Sequence, residues 1–147
     1  MSLLNYLISS NLKRRLSKFY FDSENPLESQ NNTLMHLLSK AKNTLYGKKY
    51  SFKDITSRDK FASRIPILAY EEFFPIISKM LQGETNISWP GKINWFAKSS
   101  GTTNDKSKFI PVSYEALSFN HFKAGKDLLS IYLNNHPDSK IFTGKSL

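Results

Sequence analysis

The sequence contains no cysteine among its 147 residues. Disulfides and cysteine-ligated metals are therefore excluded, and the redox compartment is left open. Long apolar runs are also missing, and no stretch approaches the roughly 20 residues of a membrane-spanning helix. The opening MSLLNYLISS is apolar, but a basic cluster follows and no small-residue cleavage site is present, so no secretory leader is expected. Acidic residues are in deficit, 12 against 21 basic ones, for a formal net charge of +9. Neither zinc-finger spacing nor an RNP-type pattern accompanies that charge, and the lysines are dispersed. No nucleic-acid partner and no membrane partner is expected, and the localisation expected is cytoplasmic.

What is present argues for a folded globular protein: 39% hydrophobic residues and 14% aromatic ones. A chain of this length can bury one ordinary core. Its charge is uneven. Residues 1–64 carry 12 Lys/Arg against 5 Asp/Glu, or +7, whereas residues 65–147 carry 9 against 7, or +2. A basic half of this kind is usually a solvated face or one that meets an acidic partner segment.

Apolar periodicity predicts four main helices. Leu4, Leu7, Leu12, Leu16 and Phe19 mark the first, over residues 3–20, with Lys13, Arg14, Arg15 and Lys18 largely off its apolar stripe. Asn25 and Pro26 signal a helix start, with Glu28 placed to reach back. Leu27, Leu34, Leu38, Ala41 and Leu45 carry that second helix to Gly47, expected as its left-handed stop. His36 falls off the stripe, at a surface or boundary position. Residues 50–67 read as loop around a short helix at 58–63. Tyr70 to Leu81 is helical by pattern, kinked or restarted at Pro75 and stopped by Gly83, with Glu71 and Glu72 as surface charges at its positive end. Ser113 caps a long helix over 114–133, whose buried line is Leu117, Ala124, Leu128 and Ile131/Tyr132, with His121 on the inner side. A strand is expected to begin at Lys140–Gly144, an odd place for a domain to finish, so the sequence is expected to be truncated.

Chemistry concentrates in Ile93–Ser113, INWFAKSSGTTNDKSKFIPVS. Two β-prone runs flank a loop of small polar residues, the signature of a hairpin. Successive backbone N–H groups in such a loop can form an anion-binding concavity, with serine and threonine hydroxyls as further donors. A closing lysine can reach a phosphate oxygen as a mobile point charge. The loop is not a Walker A motif, because no glycine precedes a Lys-Ser/Thr pair at the required spacing. A plain solvated turn has the same composition, so the loop alone leaves both readings open.

Three stretches taken in order narrow the choice: YEEFFPIISKMLQGE (Tyr70–Glu84), WPGKI (Trp89–Ile93) and FAKSSGTTNDKSKFIPVS (Phe96–Ser113). With AKNTLYGKKYSF (Ala41–Phe52) before them, they resemble the N-terminal part of bacterial acyl-acid amido synthetases. These are relatives of the plant auxin-responsive Gretchen Hagen 3 proteins, in the acyl-adenylate-forming superfamily. The resemblance implies an α/β fold: a helix-rich N-terminal portion of a large ATP-binding domain, with a β-hairpin carrying the phosphate loop and an incomplete sheet. It implies a helical layer over residues 1–85, and the hairpin, long helix and strand over 86–147. It also implies a ligase that joins a carboxylic acid to ATP, with Mg2+, and passes the acyl group to an amine or amino acid. Carried over by position, Ser99, Ser100, Gly101, Thr102 and Thr103 would grip the ATP phosphates, and Lys108 stands where the family closes the loop with lysine. Asn104 and Asp105 depart from the glycines common in plant members, and Asp105 sets a negative charge beside the phosphates. The acyl pocket, adenine and ribose contacts are expected beyond residue 147. No complete catalytic set and no metal ligand is therefore assigned, and the chain alone is expected to bind ATP weakly without turnover.

Two other functions compete with a synthetase segment. A non-catalytic nucleotide-binding or interaction module would be favoured by a stop codon after Leu147. A basic surface binder would show steeply salt-dependent retention on DNA or anionic vesicles, dominated by Lys13, Arg14 and Arg15.

Overall fold

A computed structural model describes residues 15–99, 107–139 and 141. Residues 15–24 are helical (α1), followed by α2 (Pro26–Ala41), α3 (Leu45–Lys49), a 3-10 turn (Phe52–Asp54), α4 (Arg58–Arg64) and α5 (Tyr70–Leu81). Strands β1 (Trp95–Lys98) and β2 (Phe109–Val112) come next, then α6 (Tyr114–Ala116), a π-helical stretch (Leu117–His121) and α7 (Phe122–Asn135). The described chain is thus mostly helical, with one two-stranded antiparallel hairpin. The described parts of Leu27–Ala116 form one compact unit, and those of Met1–Pro26 and Leu117–Leu147 another.

In the 27–116 unit, the predicted second helix breaks into two. Thr44 is the cause. Its buried hydroxyl donates to the Ala41 carbonyl at 2.7 Å and accepts the Gly47 N–H at 3.0 Å, ending α2 and capping α3 with one side chain. The next two N–H groups, of Leu45 and Tyr46, donate to the Asn86 and Ile87 carbonyls at 2.8 and 2.9 Å, so a distant loop satisfies the start of α3. Gly47 is therefore no left-handed stop. It lies buried inside α3, where a Cβ would collide with the Ala41 carbonyl oxygen. Leu27, expected on the buried stripe, is exposed, while Leu38 and Ala41 are buried.

Helix α5 runs through Pro75 without interruption. A proline at that position removes only the bond to the Glu71 carbonyl, one turn from the helix start. Glu72 accepts the Ala69 N–H at 2.7 Å and so closes the N-terminal end. At the other end Gly83 takes φ +87°, its N–H reaches Met80 O and the Glu84 N–H reaches Lys79 O, both at 3.0 Å. That pair of bonds is a Schellman stop, as the glycine signalled. Ile77 and Met80 of α5 are buried with Ile87 and Ile93, and Tyr70, Phe73, Ile76, Trp89, Phe96 and Phe109 surround them.

In the other unit, Leu16 of α1 and Ser130 and Leu133 of α7 are buried. The Arg15 guanidinium donates twice to Asp127 Oδ1, from Nε at 3.0 Å and Nη2 at 2.8 Å. The expected buried line of the last helix is wrong: Ala124, Leu128 and Tyr132 are exposed, as is His121. A π-helical stretch changes the angular register of every residue after it, so one α period cannot be carried across Leu117–His121. Ser130 tolerates complete burial because its hydroxyl donates to Lys126 O at 2.7 Å. Of the strand expected at Lys140–Gly144, only Ile141 is described. It lies in a turn.

Candidate anion site at the hairpin base

The hairpin register pairs Trp95 with Val112, Phe96 with Pro111, Ala97 with Ile110 and Lys98 with Phe109. One step further, the Ser99 N–H donates to Lys108 O at 3.0 Å, and the Lys108 N–H donates to Ser99 Oγ at 3.1 Å. The two ends of the polar loop are thereby joined. A serine that accepts at Oγ keeps its own O–H to donate, and among the described residues no acceptor takes the Ser99 proton. Ser100, Gly101, Thr102 and Thr103 lie outside the described residues.

Lys108 is half-buried, and its Nζ sits 5.3 Å from the centre of the Tyr70 ring, within cation–π range. None of the ion pairs among the described residues involves it. The Tyr70 hydroxyl accepts the Phe109 N–H at 2.8 Å and stands 3.4 Å from the Phe109 carbonyl oxygen. Phe109 thus directs its N–H to α5 rather than to β1. Tyr70 is the first residue of α5, so the helix that supplies two of the four residues of the buried cluster also fixes the strand that follows the closing lysine. The pattern that identifies a helix here gives Tyr70 no role beyond its N-terminal position. The one available signal was an aromatic at the first helical turn, 38 residues before a loop lysine.

Ser113 caps α6 as expected, accepting the Ala116 N–H at 3.0 Å. The Trp89 indole N–H donates to Glu115 Oε2 at 3.0 Å. Glu115 is held below the ordinary glutamate range, first by its own backbone N–H, against an opposing effect of burial, and further by Trp89, Ser113 and Lys40. This short helix start is therefore already matched to a carboxylate of the chain itself. It is not a vacant anion site. Among the described residues no group of three metal-ligating side chains occurs, and no helix is long and apolar enough to cross a membrane.

Comparison with known proteins gives the geometry a context. Residues 15–147 match the family model described as "GH3 family N-terminal domain". The chain is 30% identical over 96 residues to an indole-3-acetic acid-amido synthetase, GH3.2, of Arabidopsis thaliana, covering 65% of this chain and 18% of that protein. It is 32% identical over 89 residues to a probable indole-3-acetic acid-amido synthetase, GH3.1, of the same plant, covering 60% and 15%. A jasmonoyl--L-amino acid synthetase, JAR4, of Nicotiana attenuata is 30% identical over 89 residues, covering 60% and 15%. The matches thus take in less than a fifth of the length of these relatives.

Proposed function

The chain belongs to the GH3 family, and from that premise we propose that it is the N-terminal segment of an ATP-dependent acyl-acid amido synthetase. The parent enzyme adenylates a carboxylic acid and transfers the acyl group to an amine or amino acid. The segment contributes the phosphate grip, as the first part of a large ATP-binding α/β domain whose sheet the hairpin would join. One observation carries the reading: Ser99 and Lys108 close the loop on each other, and no ion pair among the described residues engages the lysine ammonium.

In this reading Ser99, Ser100, Gly101, Thr102 and Thr103 donate hydroxyl and backbone N–H groups to the β- and γ-phosphates, and Lys108 supplies the positive charge. Attack of a carboxylate on the α-phosphorus expels pyrophosphate, so donors preplaced on the leaving phosphates lower the barrier. Loss of one such donor typically costs about 100-fold or more in rate. Mg2+ would neutralise further charge on the leaving group. The described residues offer no ligand cluster for it, so none is assigned.

The test is an ATP titration of the chain, followed by an ATP–pyrophosphate exchange assay. Weak ATP binding is expected, reduced about tenfold or more in Lys108→Ala, as for a lost charge-assisted contact, with no exchange. Equal ATP affinity of wild type and Lys108→Ala would overturn the phosphate assignment. Exchange by the chain alone, abolished in Lys108→Ala, would overturn its inactivity.

A further inference from the structure

A mobile lysine on a loop end is a poor tool for catalysis, since its long side chain loses rotamer freedom whenever it engages an anion. Lys108 is not in that condition. Its ammonium lies over the Tyr70 ring at 5.3 Å, and the adjoining peptide is tied to the same side chain through the 2.8 Å bond from Phe109 N–H to the Tyr70 hydroxyl. One residue therefore contacts both the charged tip of the lysine and the backbone immediately after it.

We propose that Tyr70 is the positioning residue of the loop lysine. The hydroxyl fixes where the Lys108 backbone enters β2, and the ring face holds the ammonium at the loop base before an anion arrives. The inference rests on the phosphate-loop reading of Lys108 and adds a residue outside the loop to it. The platform is rigid for three reasons on the same helix. Tyr70 begins α5, Glu72 caps that end through the Ala69 N–H, and Ile77 and Met80 anchor the helix in the core. A cation held by a ring needs to give up only a weak contact when phosphate binds. The ring can therefore hold Lys108 in place without competing with a triphosphate as a carboxylate would.

Two substitutions separate the parts. Tyr70→Phe keeps the ring and removes the hydroxyl; Tyr70→Leu removes both. In the NMR spectrum of the chain, the Lys108 ε-methylene protons should be shifted upfield by the ring in wild type and in Tyr70→Phe. They should return to ordinary lysine positions in Tyr70→Leu. Titration with ATP and with tripolyphosphate should show affinity reduced about threefold in Tyr70→Phe and about tenfold in Tyr70→Leu, in keeping with loss of one neutral hydrogen bond and then of the cation–π contact as well. In the Lys108→Ala background, Tyr70→Leu should cost nothing further, an outcome a merely structural tyrosine would not produce. Reduced binding in Lys108→Ala with unchanged binding in both Tyr70 variants would overturn this inference and leave the phosphate reading intact. Equal losses for Tyr70→Leu with and without Lys108 would also overturn it. No effect of Lys108→Ala itself would overturn the phosphate reading, and the positioning role with it. Tyr70→Phe guards against misfolding, and the ring-current shift reads the contact without any ligand.

Discussion

Helices α5 and α7 each carry a stripe of large apolar side chains, and the two stripes meet different fates. In α5 the stripe becomes core: Ile77 is 3% exposed and Met80 2%. Both ends of that helix are closed, by Glu72 at the start and by the Gly83 stop at the finish. In α7 Leu128 is 68% exposed and Phe122 58%, while a serine, Ser130, is completely buried. The difference shows that apolar periodicity finds a helix but does not decide which side is covered. Coverage follows from the partners: an aromatic and aliphatic surround for α5, but for α7 an ion pair to Arg15, a serine that satisfies its own hydroxyl and a single buried leucine, Leu133. The candidate site rests on the first kind of helix, where a fixed geometry can be maintained.

Substitutions can break this contrast, and the largest effect should fall on α5. Met80→Ala should cost about 2–5 kcal/mol in denaturant unfolding, since it opens a cavity among Ile77, Ile87 and Ile93. Leu128→Ala in α7 should stay within about 0.5 kcal/mol of wild type. Glycines give a second pair. Gly47→Ala should cost about 3 kcal/mol, because its Cβ meets backbone of Ala41 that cannot yield. Gly125→Ala, with open space around it, should stabilise by up to about 1 kcal/mol by helix propensity. Thermal melts of the two variants should move in opposite directions.

Smaller effects sharpen the same comparison. Arg15→Leu should cost about 1 kcal/mol or less, and less again at high salt, because the pair with Asp127 is partly exposed. The 27–116 unit should carry a distinct acid response through Glu115. Its carboxyl titrates lower in the folded state than an ordinary glutamate does. Its contribution is therefore complete above the ordinary glutamate range and is lost as pH falls through the lowered value. Glu115→Gln should flatten that acid limb in a stability-against-pH series without altering the neutral plateau's shape.

Much of the local structure was legible in the residues. Gly83 announced the end of α5, Ser113 announced a cap, and the β-prone runs around the polar loop announced the hairpin. Each of these is a short-range signal, carried by the residues that make the bond. Thr44 was not legible, because a threonine in a helical pattern shows no sign that its hydroxyl will be buried between two helices. Nor was the support of α3 by Asn86 and Ile87, which depends on a loop some forty residues away. The π stretch at Leu117–His121 defeated the buried line of the last helix for a similar reason: its cause is not a breaker residue. At the candidate site, Ser99 and Lys108 were readable as loop ends, whereas the contacts of Tyr70 with Lys108 and Phe109 arise only through a fold that returns β2 to the start of α5.

The most direct measurement is an amide NMR titration of the 15N-labelled chain with ATP, tripolyphosphate and AMP in parallel. A grip on the β- and γ-phosphates predicts that ATP and tripolyphosphate displace the Ser99 and Lys108 amide signals while AMP leaves them in place. Displacement by AMP to the same extent, or ATP-induced shifts confined to α7 with Ser99 and Lys108 unmoved, would contradict it.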